Sequence, residues 1–96
     1  DVEPNKNCIV TNVLIENNIM YSCNGGIELN GHATNAIVKD VKVSHCIIQN
    51  MKEKYTVQCY NCQNISFDNC KLDVLPKYIL FKDCINARKK KITLKN

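Results

Sequence analysis

The sequence predicts an all-β chain wound as a parallel β-helix, a solenoid of about three and a half coils forming one segment over residues 1–96. Three observations predict it. A seven-residue phrase recurs at Asn12 (NVLIENN), Asp40 (DVKVSHC) and Asn64 (NISFDNC), and its first six positions at Lys91 (KITLKN), in steps of 28, 24 and 27 residues. Within each copy, apolar and polar residues alternate with a period of two. Two further short apolar patterns return once between successive copies.

The first strand of each coil is the phrase itself. Its second and fourth positions are apolar: Val13/Ile15, Val41/Val43, Ile65/Phe67 and Ile92/Leu94. Alternation of this kind, rich in β-branched residues, describes a half-buried strand. No segment sustains a helical spacing over three turns. The second strand reads GIELN at Gly26–Asn30, TVQCY at Thr56–Tyr60 and YILFK at Tyr78–Lys82. Its inward pairs are Ile27/Leu29, Val57/Cys59 and Ile79/Phe81. The third strand is short and follows the sixth phrase position: Ile19–Met20, Ile47–Ile48 and Leu72–Val74. Three short strands per repeat, joined by loops of variable length, make a coil.

Composition excludes several classes. No run approaches 18 consecutive apolar residues, so no membrane-spanning helix is expected. The opening DVEPNKN lacks the basic patch and apolar run of a signal peptide. The net charge of +4 owes much to Arg88–Lys91 (RKKK), read as a solvated turn, and the rest is nearly balanced. That balance argues against a nucleic-acid surface. Seven cysteines cannot all pair within one chain. Cys59 and Cys62 form a C-x-x-C spacing, yet the second such pair of a structural zinc site is missing. Buried packing explains these thiols better, so neither metal nor cofactor is expected.

The phrase x-[VIF]-x-[VIFL]-x-N-[CN], led in one coil by NCQN, resembles the right-handed parallel β-helix of the pectin-lyase-like superfamily. That group includes pectate lyases, polygalacturonases and bacteriophage tailspikes. The resemblance runs from about Cys8 to Asn96. It implies a two-residue turn between the second and third strands of each family coil, with one residue in the left-handed region, where Asn is favoured. Stacked coils would then bring such side chains ~4.8 Å apart, as an Asn ladder. Asn17, His45, Asn69 and Asn96 are the expected ladder, with His45 the departure. Asn18, Cys46 and Cys70 would stack in an interior column. Cys62 and Cys84 would stack in another, with Cys8 and His32 as counterparts.

The resemblance also implies where a ligand would lie. Carbohydrate in that family binds along the outside of the second strand described above. The outward residues there are Glu28, Gln58 and Leu80, flanked by Asn30, Tyr60 and Lys82 on one side and Thr56 and Tyr78 on the other. Glu28, Asn30, Gln58, Tyr60, Tyr78 and Lys82 are therefore the substrate-binding candidates: amides, a carboxylate, an ammonium and rings suited to sugars. The loops Tyr21–Gly25 and Gln49–Tyr55 are candidate walls, with His32 at the edge. Glycoside hydrolysis normally needs two suitably spaced carboxyls. Only Glu16 and Asp68 on the neighbouring strand approach this, ~9.6 Å apart with Ser44 between them. The family's Asn-Thr-Asp, Asp-Asp, Gly-His-Gly and Arg-Ile-Lys motifs are missing, as are its calcium-binding acid clusters.

The expected function is thus a segment of a carbohydrate-recognising β-helix acting on, or binding, a bacterial cell-surface or cell-wall polysaccharide. Any lyase or hydrolase residues would lie mostly outside this chain. The alternative is a structural shaft or spacer without a ligand. The last strand stops at Asn96 and no capping helix is visible, so further coils, or a homo-oligomer such as a trimer, are expected partners. The expected location is extracellular or virion-associated.

Overall fold

The structure, a computed structural model, describes residues 9–31, 37–49, 52, 55–73 and 79–95. These form eleven strands and no helix. In chain order they are β1 (Ile9–Glu16), β2 (Ile19–Tyr21), β3 (Ile27–Asn30), β4 (Ile37–Ser44), β5 (Ile47–Gln49) and β6 (Val57–Tyr60). There follow β7 (Cys62–Asp68), β8 (Lys71–Asp73), β9 (Ile79–Lys82), β10 (Ile85–Lys90) and β11 (Thr93–Lys95). One sheet has the order β1-β4-β7-β10, a second β2-β5-β8-β11 and a third β3-β6-β9. Every third strand returns to the same sheet, and all neighbours are parallel. The chain is all-β with parallel sheets, an arrangement compatible with a β-helix.

The register shows which residues stack. Val13, Val41, Ile65 and Ala87 form one column, and Ile15, Val43, Phe67 and Lys89 the next. The fourth copy of the phrase is therefore Asn86–Lys90 and not the KITLKN at Lys91. Sequence reading missed it because Ala87 and Lys89 stand where the other copies carry large apolar residues. Leu94 pairs instead with Leu72, so KITLKN supplies the third strand of its repeat. The run Arg88–Lys91 is correspondingly not a turn: its first three residues belong to β10.

The core lies between the three sheets. Val38, Val41, Val43, Ile65 and Phe67 come from the first sheet, Ile48 and Leu72 from the second, Ile27, Leu29, Val57 and Cys59 from the third. Phe67 and Phe81 bridge the first and third sheets with ring centroids 6.0 Å apart. The inward pairs expected on the second strand are buried in β3 and β6 and packed against the core in β9.

Turns are made by residues with positive φ, and they align. Asn12, Asp40, Asn64 and Asn86, at 56°, 54°, 57° and 56°, bend the long strands of the first sheet. The ladder skips these residues: Thr11 pairs with Lys39 and Val13 with Val41. Each bend leaves two successive residues facing outward, so inward spacing changes from two to three at that point. Asn and Asp serve here because their short polar side chains tolerate the left-handed region. A second column, Asn17, His45, Asn69 and Lys91, turns from the first sheet to the second. Lys91 holds the position after Asn69, while Asn96 lies outside the described residues. A side-chain contact within this column joins Asn69 Nδ2 to His45 Nε2 at 3.5 Å.

The better-bonded side-chain column is the first. Thr11 Oγ1 donates to Asp40 Oδ2 at 3.0 Å, and Asn64 Nδ2 donates to Asp40 Oδ1 at 2.7 Å. Asn86 Nδ2 in turn donates to Asn64 Oδ1. These two bonds hold the Asp40 carboxyl below the usual aspartate range, Asn64 contributing most and Thr11 next.

Cysteines follow the turns. Ser22, His45, Asn61, Asn69 and Asp83 all have positive φ, and each is followed by Cys: Cys23, Cys46, Cys62, Cys70 and Cys84. Every one of these thiols donates back to the carbonyl two residues earlier, over 3.2 to 3.6 Å. Four of them also reach a carbonyl of the preceding repeat. A small side chain with a weak donor thus seals each corner. Asn18, expected in the Cys46/Cys70 column, is exposed but makes the same bond through its amide, to the Glu16 carbonyl at 3.0 Å. Opposite Cys62 the register places Val38, not His32, and Val10 opposite Val38. Cys8 and His32 lie outside the described residues.

Candidate functional site

The outer face of the third sheet is where sequence placed a ligand. Glu28, Gln58 and Leu80 stand in one registered row, and Asn30, Tyr60 and Lys82 in the next. All six occupy alternate positions to the inward Ile27, Leu29, Val57, Cys59, Ile79 and Phe81, so the pleat sends them outward. The Tyr60 hydroxyl donates to Gln58 Oε1 along its own strand. Glu28, Gln58 and Tyr60 are half-buried, Lys82 is exposed, and Asn30 is buried at 7%. Tyr78 lies outside the described residues. Thr56, expected on an accessible flank, is instead fully buried, and its carbonyl accepts from the Ile27 amide of the preceding repeat.

Two glycines frame this face. A Cβ at Gly31 would collide with the carbonyl oxygen of Asn61, and one at Gly26 with that of Thr56 and with Ile48 Cγ2. Both therefore serve close approach of neighbouring repeats. Of the expected walls, Tyr21–Gly25 is described and carries the exposed Tyr21 and Cys23. From Gln49–Tyr55 only Gln49, Lys52 and Tyr55 are described.

The carboxyls sit on a different sheet. Glu16, Ser44 and Asp68 form one registered row, as expected. Ser44 Oγ donates to Glu16 Oε1 at 3.4 Å, while Asp68 Oδ1 is shut from water with no hydrogen-bond partner among the described residues.

The C-x-x-C thiols point inward. Cys59 is fully buried in β6, and burial raises its thiol well above the ordinary range, the neighbouring Cys62 and Cys84 adding to the effect. Burial and then Cys84 push Cys62 up to about 12. Among the described residues, no three His, Cys, Asp or Glu side chains are grouped to hold a metal ion. All six described cysteines are free thiols. No helix among the described residues is long and apolar enough to cross a membrane.

Sequence reading missed a cationic cleft on the first sheet. Lys42, Ser66, Asp68, Arg88 and Lys90 line a cavity of about 350 Å³ there. The signal was present in RKKK, but placing that run in a turn separated it from Lys42. Comparison with family models, curated proteins and solved structures finds no match to this chain.

Proposed function

We propose that this chain is a segment of a right-handed parallel β-helix of the pectin-lyase-like kind, with stacked Asx and Asn turns, and that it binds a polysaccharide on its third sheet. The observation that carries this reading is the registered outer face of β3, β6 and β9. Two rows of side chains, polar except for Leu80, stand there at a strand spacing of ~4.8 Å, a repeat along which an extended sugar chain can be followed by successive amides and a ring. Tyr60 offers a flat apolar face with its hydroxyl already held by Gln58. Glu28, Gln58 and Lys82 supply acceptors and donors, while Asn30 is buried beside them.

The ligand would be a bacterial surface or cell-wall polysaccharide, met outside the cell or on a virion, and further coils or copies of the chain would extend the face. The role proposed for this chain is recognition. The test is titration with a broad panel of oligosaccharides, followed by tyrosine fluorescence, with the wild type beside Tyr60→Ala. Saturable binding by the wild type, weakened at least tenfold in the variant, is the expected result. No response to any glycan would leave the structural shaft as the function. Release of new sugar ends during the titration would overturn the assignment to recognition alone.

A further inference from the structure

The cleft on the first sheet is built from a long-short-long row. Lys42, Ser66 and Arg88 are directly opposite one another on β4, β7 and β10. The Cα atoms of Lys42 and Arg88 are thus two strand spacings apart, ~9.6 Å. Two long cationic side chains rise on either side of a hydroxyl, which leaves a gap above Ser66. Asp68 and Lys90, opposite each other one row further on, close the end. Three cations and one carboxylate give the lining a net charge of +2, and no partner among the described residues occupies Asp68 Oδ1.

We propose that this cleft binds a tetrahedral oxyanion, sulfate or phosphate, seated over Ser66 between Lys42 and Arg88. The donors approach from both walls and from the floor. A planar carboxylate offers two oxygens in one plane and would leave one of these directions unused. A tetrahedral anion presents oxygens to all three: a forked guanidinium on one side, an ammonium on the other, a hydroxyl below. The site is separate from the face on β3, β6 and β9, and it stands or falls independently of it.

The test is an NMR titration of the chain with sodium sulfate and with sodium phosphate, ionic strength held constant with sodium chloride. Saturable shifts at the Lys42, Ser66 and Arg88 amides are expected. Arg88→Gln and Lys42→Gln should each weaken binding at least tenfold. Lys71→Gln, on β8 in the other sheet, removes the same charge and should leave affinity within twofold. Equal loss in Lys71→Gln, or shifts that follow chloride as closely as sulfate, would overturn the proposal as diffuse attraction. All three side chains face outward, and unchanged thermal melts would show that the variants fold. A sulfated or phosphorylated oligosaccharide then identifies the source. Binding tighter than the free ion points to an ester on a polymer, and equal binding to the free ion itself.

Discussion

The environment of Asp40 favours its charge, since Asn64 and Thr11 both donate to it. Its folded pKa is depressed, so its contribution is complete above the ordinary aspartate pKa and is lost as pH falls through the lower, folded value. Asp40→Asn keeps an acceptor for Asn64 and a partner for Thr11 but cannot titrate. Its urea midpoint should therefore fall less steeply below pH 4 than that of the wild type. Equal slopes would show that Asp40 carries none of the acid sensitivity. The thiols allow a second check. Of the six described cysteines, Cys23 is exposed, while Cys46, Cys59, Cys62 and Cys70 are buried. An aromatic disulfide reagent should modify Cys23 rapidly and the four buried thiols only after unfolding, read by peptide mass. The sequence showed that Asn and Cys recur at fixed phrase positions. It did not show that the bonded column begins each phrase. A left-handed residue at a strand bend and one at a two-residue turn carry the same residue types, and only the register separates them.

At the scale of the elements, the phrase strands were legible because each inward face is apolar. The strands of the third sheet were legible for the same reason. β10 was not. Its inward positions hold Ala87 and Lys89, so the period-two signal fades where the strand has only one neighbour among the described residues. The burial pattern gives the prediction that belongs here. Phe67 is fully buried and meets Phe81, so Phe67→Ala should cost about 3–5 kcal/mol. That is a large share of the stability of so small a domain. Leu14, 58% exposed on the opposite face of β1, should tolerate Leu14→Ala within about 0.5 kcal/mol. Urea unfolding of both variants measures the contrast, and similar losses would contradict the assignment of faces. Gly31→Ala belongs to the same scale. Its new methyl would meet a backbone carbonyl that cannot turn aside, so a loss of about 1–3 kcal/mol is expected.

For the whole molecule, stacking turns three short patterns into three faces with separate chemistry. The third sheet presents amides, a carboxylate, Tyr60 and Lys82, whereas the first presents Lys42, Arg88 and Lys90 around a hydroxyl. The first of these faces could be drawn from sequence, because it lies on three well-spaced copies of one strand. The second could not, because it depends on the last repeat entering the sheet at Asn86 and not at Lys91. The parallel inter-strand register is the claim on which both faces rest. The most direct measurement is the set of inter-strand nuclear Overhauser contacts in an isotope-labelled sample. The account predicts parallel cross-strand contacts from Ile65 to both Val41 and Ala87, and from Gln58 to both Glu28 and Leu80. Contacts from Ile65 to Ile92 in place of Ala87, or an antiparallel pattern, would contradict it.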